Sequence, residues 1–346
     1  VTVNGQSARY VGSVAGFVEE NALVENCETL SGSVTGSYVM VDFQLGGIVG
    51  YNKGTVRGCS NSVCINEEKT GIKYNIVCGG IVGYNSGGYI ENCENNADIF
   101  TSASSNFTIY SYCGGIVGRN NIGKIVHCTN NNSISSRALS IYRYNNSYYY
   151  WAYSFSGGIS GHDSGTILEC RNNGNISSYA TSTQSSGSYG GSDYYSNSGA
   201  GGIAGACAGN INKCINTGTI NSKSNSHKNY SGGISGYSNG SIISCDNLGN
   251  INADGSLSVR TSGYGGGIVG YNNTDIYHCV NYGKVYAKAN DYGKGNWGGG
   301  YSYGGGIAGY SANGKVQSCQ NNSTIELYST YDSYGGGIVS QGTAYN

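Results

Sequence analysis

The chain has 346 residues, 60 of them glycine and none proline, with 11% charged residues and a formal net charge of −1. So few cations leave no basic stripe to offset phosphates and no polybasic patch for an anionic bilayer, which excludes nucleic-acid binding and electrostatic membrane attachment. No apolar run reaches the roughly 18 residues of a membrane-crossing helix, so membrane insertion as a helix is not expected. Abundant Tyr, Ser, Asn, Gly and Ile favour strands and turns over helices.

In chain order, residues 1–12 read as a lead-in, 13–340 as one repeat domain and 341–346 as a tail. Val1 stands first, with no initiator Met, which reads as a processed chain or an excised segment. A degenerate copy of the repeat runs from Val14-Ala15-Gly16 to Cys27. Gly-Gly-Ile then recurs from Gly46, Gly79, Gly114, Gly157, Gly201, Gly232, Gly266, Gly305 and Gly336, at spacings of 31 to 44 residues. Eleven or twelve residues after each of the first eight Ile comes a Cys: Cys59, Cys93, Cys128, Cys170, Cys214, Cys245, Cys279 and Cys319. Two residues on comes Asn: Asn61, Asn95, Asn130, Asn172, Asn216, Asn247, Asn281 and Asn321, with Thr29 in that place in the degenerate copy. An aliphatic residue follows, as at Ile65, Ile99 and Ile134.

Each copy predicts three short strands separated by turns. Gly50-Tyr51-Asn52-Lys53-Gly54 and Asn172-Asn173-Gly174-Asn175 have turn chemistry, with Gly or Asn supplying φ > 0. One such unit cannot bury its apolar face alone, whereas stacked units can, Ile upon Ile. The fold class expected is all-β, a parallel β-helix or β-solenoid of about nine coils. At about 4.8 Å per rung it makes a rod of roughly 40 to 45 Å. The Tyr- and Ser-rich segments between copies, as in Tyr142 to Tyr153 and Ser177 to Ser198, vary in length and are expected to protrude from one side.

The phrase GGI[VAS]G-Y-N-x-G-x-I-x-x-C-x-N-x-G-x-I resembles the GLUG repeat of large surface proteins and adhesins and of accessory regions of some secreted bacterial peptidases. The resemblance covers about residues 13 to 340. It implies a secreted or cell-surface setting and carries no catalytic residues. The first copy departs by lacking Gly-Gly and the Asn, and the last stops at Ile338-Val339-Ser340.

The cysteines are the most chemical-looking feature. A metal site needs Cys-x-x-Cys pairs that converge, but here one Cys comes per coil in a column that starts at Cys27, so a packed column of thiols is expected, with no metal and no cofactor. Parallel rungs hold Cβ atoms near 4.8 Å, too far for the roughly 3.8 Å of a disulfide. Of the other four, Cys78 and Cys113 each directly precede Gly-Gly in consecutive copies and are the foremost disulfide candidates; Cys64–Cys78 comes second, and Cys207 stands alone. The Asn residues predict a ladder of side-chain amides, with amide-mediated ligand binding as the alternative. Tyr51, Tyr84, Tyr237, Tyr271 and Tyr310 share one turn position and predict an aromatic stripe, either self-stacked or open to sugars and protein partners. His127 and His278 lie four coils apart, roughly 19 Å, and cannot share a metal. His162-Asp163 replaces Tyr-Asn and reads as a surface variant. No Ser-His-Asp set converges, no helix follows the glycines to make a phosphate loop, and the 19 acidic residues are scattered.

These features predict a non-enzymatic structural protein outside the cell. One reading is a fibre subunit that polymerises end to end with itself, Gly336 to Val339 stacking on Val14 to Gly16 of the next copy. The other is a stalk or adhesive segment that binds glycans or surface proteins. Both rest on uncapped coils exposing strand edges at either end.

Overall fold

In the computed structural model, residues 1–36, 42–72, 74–142, 151–184, 195–225, 227–255, 261–289, 300–330, 332–341 and 344–345 are described. Every regular element among them is a β-strand, and every strand pair is parallel. The chain is therefore a parallel β-solenoid. Its coils have five strands, not the three expected. In one coil these are Ile109–Gly114, Val117–Asn121, Lys124–Val126, Thr129–Asn130 and Ile134–Tyr142. Each strand stacks on its counterparts above and below, giving five sheets, here I to V in that order, of ten, nine, ten, nine and eight strands.

Close backbone approach fixes the Gly-Gly corner between sheets I and II. A Cβ on Gly114 would lie 1.9 Å from the Val117 carbonyl oxygen, and one on Gly115 would lie 2.1 Å from that of Gly158 in the next coil. The corner between sheets III and IV is made differently. The residue before each ladder Cys is left-handed, as at His127 (φ 54°), Glu169 (φ 54°) and Lys213 (φ 53°). That single residue resets the alternation of the strand. Ile125 and Cys128, three apart, consequently both point inward and are fully buried, which is the bend such a spacing demands. The positive φ expected of a Gly or Asn in Gly50 to Gly54 and in Asn172 to Asn175 is not used, at Gly54 and Gly174 included. Those glycines are required by approach instead, a Cβ on Gly54 falling 2.3 Å from the Ala22 carbonyl oxygen.

The core has two parts. Ile48, Ile81, Ile116, Ile159, Ile203, Ile234, Ile268 and Ile307 form one fully buried column, packed with the ladder Cys and the Ile or Val of sheet III. A second part lies between sheets I and V. Its apolar members include Ile65, Ile99, Ile134, Ile176, Ile220 and Ile251, and farther out it becomes a seam of buried serines. The variable segments thus do not simply protrude: Ile134–Tyr142, Trp151–Gly157, Ile176–Gln184 and Tyr195–Gly201 are strands of sheets V and I. The rest of Tyr142 to Tyr153 and of Ser177 to Ser198 lies outside the described residues.

Both terminal segments join the stack. Tyr10–Gly12 is the first strand of sheet I. Thr2–Gly5 pairs with Ser33–Gly36, and Ser33 bridges Cys64 at the start of sheet V, so Thr2–Gly5 holds the sheet V place of a coil before the first. At the other end Asp332–Gly336 adds to sheet I, Val339 bridges Ala308 of sheet II, and Ala344–Tyr345 adds to sheet III. The lead-in and the tail are therefore partial coils.

Candidate functional site: side-chain columns and end faces

Sheet IV aligns the predicted Asn residues into one ladder. Each Nδ2 donates to the Oδ1 of the next coil at 2.7 to 2.9 Å, from Asn61 through Asn95, Asn130, Asn172, Asn216, Asn247 and Asn281 to Asn321. The second N–H of each amide staples its own turn, as Asn172 does on the Gly174 carbonyl at 2.8 Å. Thr29 begins the ladder by donating to Asn61 Oδ1 at 2.8 Å. The internal amides, from Asn61 to Asn281, are 0% exposed, so they offer no surface to a ligand.

The Cys column runs beside this ladder. The backbone N–H of each Cys from Cys93 to Cys279 donates to the Sγ of the next, at 3.4 to 3.5 Å. All thirteen cysteines are thiols. Cys78 and Cys113 are direct register partners, both 0% exposed, and burial pushes the Cys113 thiol up to about 12. Parallel pairing holds them at rung spacing, which leaves them as neighbouring thiols. Cys64 is exposed while Cys78 is sealed inside, so the second disulfide pairing is not formed. Burial likewise holds Cys170, Cys207 and Cys245 well above the ordinary thiol range. Among the described residues no three His, Cys, Asp or Glu converge on a metal position.

The five stripe tyrosines divide into two stacks. Tyr51 lies on Tyr84 at 5.2 Å, and Tyr237, Tyr271 and Tyr310 follow one another at 5.4 and 5.0 Å. Arg119, His162 and Ala206 hold the places between. A parallel rail on sheet I, Tyr230, Tyr264, Tyr303 and Tyr334, stacks at 5.3, 4.8 and 5.1 Å and meets the first rail edge to face. Ring faces within the rails are spent on one another. Free faces remain at the two ends, where Phe17 is 37% and Tyr334 36% exposed.

Two features escaped the sequence reading. Asn52, Asn85 and Asn120 form a second amide ladder, 2.8 and 2.9 Å per step, and Asn120 passes it to Asp163 Oδ1 at 2.6 Å. Asp163 is fully buried, and desolvation raises its carboxyl to about 7; His162, beside Arg119, is held down at about 4 by burial first and by that charge second. Asp163 is thus an interior residue, not a surface variant, with the part-buried His162 beside it. The signal of the second ladder was the Asn of this turn, which recurs at Asn52, Asn85, Asn120 and Asn272. The two histidines before ladder Cys occupy the left-handed corner; His127 bonds Glu169 at 2.7 Å, and Glu169 also meets Lys213 at 3.1 Å, a line of charge on the surface.

The end faces differ from everything between them. Val14 is 46% exposed where its successors in the Ile column are 0%, and Val24 of the first coil is only partly buried where its successors in sheet III, from Val56 to Val316, are 0 or 1% exposed. At the far end Ile338 and Val339 are only partly buried. No protein-family model, curated protein or solved structure matches this chain.

Proposed function

We propose that this protein is a non-enzymatic structural component of the cell exterior, a β-solenoid subunit whose copies stack end to end into a fibre. The observation that carries the reading is the pair of end faces. The Ile column, 0% exposed from Ile48 to Ile307, is open at Val14 on one face and only partly buried at Ile338 on the other, where Val339 is likewise only partly buried, and the aromatic rails end on the same faces at Phe17 and Tyr334. Each face also carries one-sided strands, and such edges pair with another chain. Stacking Gly336–Val339 on Val14–Gly16 of a second copy continues the Ile column and satisfies both edges, the mode of strand addition. The extracellular setting rests on the GLUG-like repeat phrase. Electron microscopy of the purified chain tests the proposal. Unbranched filaments are expected, with an axial repeat of roughly 48 Å from ten rungs per copy. A chain that stays monomeric at high concentration refutes end-to-end stacking and favours the stalk or adhesive reading, in which further repeats cover the same edges.

A further inference from the structure

We infer that neighbouring copies share one coil, built from Asp332–Gly336, Val339 and Ala344–Tyr345 of one copy together with Thr2–Gly5 of the next. This rests on the end-to-end reading above and specifies its joint.

The strand inventory of the two ends is complementary. After its ninth full coil the chain supplies the sheet I, II and III places of a tenth, and nothing described in places IV and V. Before its first coil it supplies place V alone. When the tenth coil of one copy sits on the first coil of the next, the two partial coils fall on the same level. No place is filled twice, and only the two-residue place of sheet IV is left open. Thr2–Gly5 then adds to Ile325–Ser329, the last strand of sheet V.

Three side-chain columns continue across this joint. The sheet V column has members at 0 or 1% exposure from Ile65 to Val285, while Ile325 at one end and Val3 at the other are only partly buried. Val3 pairs with Val34, which is 0% exposed, so across the joint the sheet V column reads Ile325, Val3, Val34 without a break. On sheet I, Tyr334 and Tyr10 both stand two residues before the corner-forming Gly336 and Gly12, and they meet face to face. The third column is the glycine corner. A Cβ on Gly47, Gly80, Gly115, Gly158, Gly202, Gly233, Gly267 or Gly306 would strike the next coil's backbone at 2.1 to 2.2 Å, yet Gly337 has nothing within 4 Å. The position has the form that accepts a further rung and lacks the rung.

Hydrogen exchange of the full chain, before and after assembly, tests the joint. The backbone amides of 325–329 and of 336–339 are both expected to gain protection on assembly. Protection of 336–339 alone overturns the shared coil and leaves end-to-end stacking standing; no association at all overturns both. As a second arm, Val3→Lys places a charge in a column that is closed only in the filament. It is expected to raise the critical concentration at least about tenfold. Ile122→Lys, at a position 74% exposed on the side of the rod, leaves it unchanged. A Val3→Lys protein that assembles like the wild type overturns the inference.

Discussion

Replacing Asp163 by Asn separates two opposed pH effects in the middle of the rod. Asp163 accepts from Asn120 through Oδ1, while its Oδ2 meets no donor. Its neighbour in the next coil is Cys207, a buried thiol that stays protonated. Raising the carboxyl from 3.8 to about 7 means that between those values the unfolded chain is ionised and the folded one is not. Stability therefore falls as pH rises from about 4 to about 7, by about 3 pKa units at about 1.4 kcal/mol each, or about 4 kcal/mol. His162 acts in the opposite sense. Its pKa is held at about 4 against 6.5, so below 6.5 the unfolded chain binds a proton that the folded one refuses, and stability falls as pH drops, by about 3 kcal/mol. Across pH 4 to 6.5 the two slopes nearly cancel in the wild type.

Asn at 163 keeps the bond from Asn120 and cannot ionise, so only the histidine slope remains. The variant should match the wild type near pH 4 and exceed it by about 4 kcal/mol at pH 8. Urea denaturation in steps from pH 4 to 8, followed by the fluorescence of Trp151 in the same coil with Trp297 replaced by Phe, measures the difference directly. Other carboxylates cancel in the comparison. A stability difference that does not grow with pH, or a variant no more stable at pH 8, refutes the burial argument.

Ser244 sits at the left-handed corner with φ 53°, where a side chain costs roughly 1–2 kcal/mol; Ser244→Gly should stabilise by about 0.5–1 kcal/mol in thermal unfolding, after the added entropy of the unfolded glycine. Asn130→Ala removes the amide that accepts from Asn95 and donates to Asn172 Oδ1 and to the Asn132 carbonyl, and should cost about 2–4 kcal/mol in urea denaturation. Maleimide labelling of the native chain followed by peptide mass mapping should modify Cys64 fast, Cys27 and Cys319 slowly, and the ten buried thiols only after unfolding; recovery of Cys78 and Cys113 as a disulfide from native protein would contradict the parallel-rung geometry.

The repeat phrase was enough to place the Ile column, the Cys column and the Asn ladder, because each is one residue type at one position in every coil. It was also enough to require a bend between Ile167 and Cys170, since two inward residues three apart cannot belong to one straight strand. What made the bend was not legible. Left-handed residues are usually announced by Gly or Asn, but here His127, Glu169, Lys213 and Ser244 adopt that conformation, held by the coils on either side. The hydrogen bonds of neighbouring rungs overrule the local preference, as at His127, whose N–H reaches the Leu168 carbonyl at 3.1 Å.

The strands of sheets I and V were hidden for a different reason. Sequence reading takes alternation of apolar and polar residues as the mark of a half-buried strand, with the apolar set inside. In Trp151–Gly157 the alternation is present but inverted: Ala152, Ser154 and Ser156 are buried, and Trp151, Tyr153 and Phe155 face outward. The space between the two sheets is too narrow there for large side chains, and small hydroxyls fill it by bonding across it, Ser196 to Ser224 at 2.7 Å and Ser231 to Ser222 at 2.8 Å. A buried hydroxyl with a partner costs little, so serine serves as a core residue. The outward aromatics are not stranded in water either, because the next coil presents another ring, as Tyr153 does to Tyr110 at 4.5 Å. Both departures have one origin. In a solenoid every residue meets its counterpart one rung away, so a side chain is judged by how it stacks on its own kind, and Ser, Asn, Cys and Tyr all stack well. On that rule the amide ladder that begins at Thr29 runs to Asn321, in the last strand of sheet IV among the described residues.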